Sequence, residues 1–138
     1  MKKSLVILFL LVSFSGLSQT RIFIGQTTRT IYTFYKEQGY NIGFYNYKQV
    51  GGISQYLILL TDDYKVTFYY NEKTNICYSQ TLEFFNKESY FKACDAYKIS
   101  DVYKESKVVI NNKKYRIVTM QVPSAKVGMS DMILINKI

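Results

Sequence analysis

The chain has 138 residues, with 18 Lys and Arg against 10 Asp and Glu, a net charge of +8, and neither histidine nor tryptophan. Without imidazole it lacks the commonest general acid and base, the commonest metal ligand and the usual charge switch between about pH 5 and 8, so catalytic triads built on His are excluded. Fourteen Tyr and nine Phe supply the bulk of a core instead, and they are more rings than one small domain can hide.

Lys2 and Lys3 precede an unbroken apolar run from Leu5 to Val12, followed by the small residues Ser15, Gly16 and Ser18. A positive start, a short apolar core and small residues at the cut describe a secretory signal peptide over 1–18, cleaved after Ser18. The run falls well short of the about 20 apolar residues of a spanning helix. No Cys follows it to carry a lipid anchor. The expected mature chain, 19–138, is a single domain that is periplasmic or secreted, with no integral membrane segment after signal cleavage. Losing Lys2 and Lys3 lowers the net charge from +8 to +6, and a modest lysine excess reads as a solvated face. Export argues against nucleic acid as a partner.

Arg21 to Gly25 is a short extended piece that Gly25 breaks. Ile31, Phe34 and Tyr35 then recur at helical spacing, with Thr27 or Thr28 as an N-cap and Gly39 as a stop, which reads as a helix over Thr28 to Gln38. Propensity favours a hairpin over the same residues, because Thr, Ile, Tyr and Phe prefer strands. Tyr40 to Lys48 offers an additional strand before Gly51 and Gly52. A meander follows: Tyr56 to Thr61, a turn at Asp62 and Asp63, Tyr64 to Tyr70, a turn at Asn71 to Thr74, and Asn75 to Phe84. In its middle strand Tyr64, Val66, Phe68 and Tyr70 share one face, built to be covered, and Lys65, Thr67 and Tyr69 share the other.

Asn86 is placed to cap a second helix, on which Tyr90, Phe91, Cys94 and Tyr97 form an apolar stripe. Strands are expected at Lys107 to Ile110, Lys113 to Val122 and Met132 to Ile135, with a turn at Asn111 and Asn112 and a loop from Pro123 to Ser130. The order is helix, three strands, helix, three strands, an α+β fold with two helices on one face of an antiparallel sheet. It suggests a duplicated topology.

Ile24, Gly25, Gln26 and Thr27 to Ile31, entering a helix and then a meander, resemble the start of small exported domains of the SmpA assembly-lipoprotein and β-lactamase-inhibitor-protein type. The run from Phe68 to Cys77 is similar to runs in small exported proteins of no assigned function. The first resemblance implies a helix-plus-sheet module that binds other proteins. It transfers no site residue.

Two cysteines under export favour a disulfide between Cys77 and Cys94. Facing opposes it: with Ile76, Tyr78, Leu82 and Phe84 on the covered face, Cys77 points away from Cys94 unless a bulge intervenes. The alternative is two buried free thiols. Asp62 and Asp63 are what a hairpin turn carries, and the other acids are scattered without metal spacing. No catalytic residue, metal ligand or cofactor is therefore assigned. Basic and aromatic residues interleave at Tyr45, Tyr47 and Lys48 and again from Lys104 to Arg116. The preferred reading is a non-enzymatic module binding an envelope or extracellular protein through the uncovered sheet face, with Tyr69, Tyr45 and Tyr47 as candidate contacts. Alternatives are a glycan-binding module, with these rings stacking on sugars, or a hydrolase using carboxylates without His.

Overall fold

A computed structural model describes residues 21–49 and 52–138, with side chains apart from those of 46–49 and 52–55; the expected signal peptide lies outside the described residues. Helix α1 (Thr28–Glu37) forms where spacing and cap agree: the Thr27 hydroxyl accepts the Thr30 N–H at 3.3 Å, and Gly39, at φ +81°, stands just beyond the end. Burial outweighs the strand preference of its residues. Ile31 and Tyr35 are fully enclosed, and the Tyr35 ring lies 5.5 Å from Phe23 and 6.0 Å from Phe68.

Four antiparallel strands follow: β1 (Asn41–Gln49), β2 (Gly52–Leu60), β3 (Tyr64–Tyr70) and β4 (Cys77–Phe84). The expected order is thereby corrected to helix, four strands, helix, three strands. The extra strand is the ring-rich stretch around Tyr40 to Lys48, which pairs along its whole length with a β2 that begins at Gly52 rather than Tyr56. Gly43 does not break it, because the space beside it is filled by the Tyr45 ring, 3.5 Å from where a Cβ would stand.

Helix α2 (Lys87–Tyr97) starts at Asn86, whose side-chain oxygen accepts the Ser89 N–H at 2.8 Å, and ends at Lys98 in the left-handed conformation. It buries Tyr90, Ala93, Cys94 and Tyr97, while Phe91 turns outward. Then come β5 (Glu105–Ile110), β6 (Lys113–Ser124) and β7 (Gly128–Lys137). Asn111 and Asn112 both take positive φ, as a two-residue hairpin turn needs. The loop expected from Pro123 to Ser130 is corrected to a tight hairpin, with Pro123 opposite Met129 and Ser124 opposite Gly128. Pro123 lies past the end of β5, where β6 has a neighbour only in β7, so its missing N–H costs no ladder bond there.

All seven strands form one antiparallel sheet in the order β1-β2-β3-β4-β7-β6-β5. Each helix leads into a meander, and the last strands of the two meanders meet at the centre, so the halves repeat in topology with four strands and three. Ile31 and Tyr35 of α1, Tyr90 and Tyr97 of α2, and Leu57, Phe68, Leu82, Ile117, Ile133 and Ile135 of the sheet belong to one core. Both helices therefore cover the same face.

The covered face has one fully buried amide. Gln80 accepts the Phe23 N–H at 2.9 Å and donates to the Arg21 carbonyl at 3.0 Å, fastening the segment before α1 onto β4. Gln80→Leu strands both backbone groups and is expected to cost about 3 kcal/mol. Urea unfolding measures this, and an unchanged midpoint contradicts the clamp.

Candidate functional site

Among the described residues no helix lies on the opposite face of the sheet. Strand register puts Tyr45 beside Tyr56 and Tyr56 beside Tyr69, and Tyr69 lies next to Tyr78. Ring centroids are 5.5 Å apart for Tyr56 and Tyr69 and 6.5 Å for Tyr69 and Tyr78. Tyr45 is 50% exposed and Tyr78 58%, while Tyr56 and Tyr69 are half-buried between them. A tyrosine row thus crosses β1 to β4, about 14 Å at the usual strand spacing. Alongside it runs a second row of Ile58, Thr67, Thr81, Leu134 and Val118, then Leu60, Met132 and Met120.

Of the candidate contacts, Tyr69 and Tyr45 both fall in this row. Tyr47 sits in β1 opposite Ser54, two positions along from Tyr45, but its side chain lies outside the described ones. Tyr56 and Tyr78 are additions. Tyr56 becomes visible only with the β1–β2 register. Tyr78 was expected on the covered face, and a register shift overturns that: Tyr69 pairs with Ser79 and Tyr70 with Cys77, so the extra residue reverses the alternation. Even alternation back from Phe84 and Leu82 does hold as far as Gln80, which is buried, and fails only at Tyr78.

The same bulge carries Cys77 to the covered face, yet no disulfide forms. Cys77 and Cys94 are both buried and free. Cys94 sits one turn from Tyr90, whose ring packs at 5.9 Å on Phe84, and Cys77 is at the other end of β4 from Phe84. That strand length is about 23 Å, far beyond bridging reach. Burial pushes the Cys77 thiol up to about 12 and also raises Cys94.

Charges on the open face pair off. Lys65 meets Glu83 at 3.2 Å and Arg116 meets Glu105 at 2.7 Å, and the remaining Lys107 and Lys114 stand at the β5–β6 margin, away from the rings. Tyr115, within the second basic and aromatic stretch, is buried in the core rather than placed to stack a base.

A second cluster lies on the helix side. Asp131 of β7 is 4% exposed, and one of its oxygens accepts from both Lys87, at 2.9 Å, and the Tyr103 hydroxyl. The hydrogen bond to Asp131 is the main reason Lys87 is held above its ordinary value, and it likewise raises Tyr103. Both donors are kept protonated, which makes the cluster a clasp between α2, β7 and the 98–104 connection. Among the described residues no group of three potential metal ligands occurs, and no helix is long and apolar enough to cross a membrane.

Compared with protein-family models, curated proteins and solved structures, the chain matches none.

Burial, the largest cause in each case, raises Tyr35, Tyr90, Tyr97 and Tyr115 as well, so the native chain keeps protons that the unfolded chain releases. Raised folded values contribute stability that is complete below the unfolded values and lost as pH rises through the folded ones. The urea midpoint is therefore expected to fall once pH exceeds about 10. A midpoint that stays level from about pH 8 to about pH 11 contradicts this burial of phenols.

Proposed function

We propose that the chain is an exported, non-enzymatic module that binds a partner protein of the envelope or extracellular space through the open sheet face. The observation that carries this reading is the unbroken row of Tyr45, Tyr56, Tyr69 and Tyr78 with aliphatic side chains beside it. Tyrosines combine large contact area with few rotatable bonds, which makes them efficient anchors in protein interfaces. The pairing of Lys65 with Glu83 and of Arg116 with Glu105 leaves the ring region near neutral, a poor match for an anionic polymer.

Ring geometry supports this reading over sugar binding. A linear glycan stacks on rings that lie flat in one platform, whereas the planes of Tyr56 and Tyr69 meet at 66°, edge toward face. Such a surface suits side chains that fit between rings. The resemblance of the Ile24 to Ile31 entry to protein-binding exported domains points the same way.

The test compares three immobilised proteins against native envelope and culture-medium fractions: wild type, Tyr45→Lys/Tyr78→Lys, and Lys92→Ala on the helix side. The double variant changes the two most exposed rings of the row, so its melting curve is expected to match wild type. A protein retained by wild type and Lys92→Ala is expected to be lost roughly tenfold or more by the double variant. Equal retention by all three contradicts the reading, as does glycan-array binding that the double variant abolishes while no protein is captured.

A further inference from the structure

The segment from Lys98 to Lys104 passes from the end of α2 to the start of β5 across the helix side of the molecule. Its residues are exposed apart from the half-buried Ile99 and Ser100, with Val102 at 65% and Tyr103 at 45%. Ile99 packs against the core and the Tyr103 ring lies 6.5 Å from Tyr90, and polar grips hold the rest. The Tyr90 hydroxyl donates to the Asp101 carbonyl at 2.9 Å, and Tyr103 donates to Asp131. The Thr119 hydroxyl lies 3.1 Å from the Val102 carbonyl and receives the Lys104 N–H at 3.0 Å. The chain leaves α2 through Lys98, with the Ile99 N–H closing on the Cys94 carbonyl at 3.0 Å.

A segment with exposed side chains and water-exchangeable bonds opens at lower free energy than strands that bury Leu82, Ile133 and Ile135. Beneath it lies the buried stripe of α2, and a depression of about 220 Å³ between the two is lined by Phe91, Cys94, Asp95, Ile99, Ser100 and Asp101. We infer that Lys98 to Lys104 is a strap, latched on Asp131, that opens independently of the sheet and uncovers the α2 face carrying Tyr90 and Cys94. Cys77 has no such gate. It is the first residue of β4, its N–H bonded to the Gln26 carbonyl at 2.9 Å and its carbonyl receiving the Gly25 N–H at 2.8 Å. Two thiols of similar burial therefore differ in access.

The experiment is alkylation of the native full chain with iodoacetamide, with each cysteine followed by peptide mass spectrometry in wild type, Asp131→Asn and Tyr103→Phe. In wild type Cys94 is expected to react roughly tenfold or more faster than Cys77. Each latch variant is expected to raise the Cys94 rate by roughly a further tenfold without moving Cys77, since a hydrogen bond to a charged group is lost. Tyr103→Phe removes one hydroxyl from a half-exposed side chain and keeps the test decisive if Asp131→Asn does not fold. Equal rates for the two thiols, or a Cys94 rate unchanged by Tyr103→Phe, overturn the inference.

Discussion

Leu82 lies opposite Ile133, and Gln80 opposite Ile135, across the ladder that joins β4 to β7. That pairing makes one sheet of two meanders, and the rest follows from it. It places fully buried aliphatic side chains from both halves in one layer, so α1 and α2 share a single core rather than each covering a separate small sheet. The chain has only these two described helices, and both are used on one side. The other side is left to its own side chains, where tyrosines and aliphatic residues lie beside threonines and the Lys65–Glu83 pair along the strands.

Local signals carried most of the architecture. Thr27 and Asn86 mark both helix starts, Asn111 and Asn112 mark a hairpin, and the alternation from Tyr64 to Tyr70 names the covered face of β3 correctly. What escaped depends on contacts distant along the chain. The β4–β7 neighbourhood cannot be read from either strand alone, and a single extra residue at the bulge sends Tyr78 outward and Cys77 inward. Asp131 looked like one of several scattered acids because its partners, Lys87 and Tyr103, lie 44 and 28 residues away. Tyr69 and Tyr45 were legible because each belongs to a strand whose alternation is regular. Their assembly with Tyr56 and Tyr78 was not, since a row across strands exists only once register is set.

The molecule divides into regions of different stability and different use. The core around Phe23, Tyr35 and Phe68 locks rings at 5.5–6.0 Å and is the rigid part. The connection after α2 rests mainly on hydrogen bonds, with Ile99 and the Tyr103 ring as its apolar contacts, and is the part that yields first. Between them, the open sheet face is rigid in backbone yet exposed in its rings, a combination that favours binding because little ordering entropy remains to be lost. The ring region of that face is also near neutral on a chain of net charge +8, with Lys107 and Lys114 at the far margin.

Residue-resolved tyrosine nitration of the free protein tests the central claim, one covered face and one ringed open face, most directly. The account predicts rapid modification of Tyr45 and Tyr78 and strong protection of Tyr35 and Tyr97, whose exposures do not exceed 4%. Protection of Tyr45 and Tyr78 equal to that of Tyr35, or ready modification of Tyr35 in the native state, would contradict it.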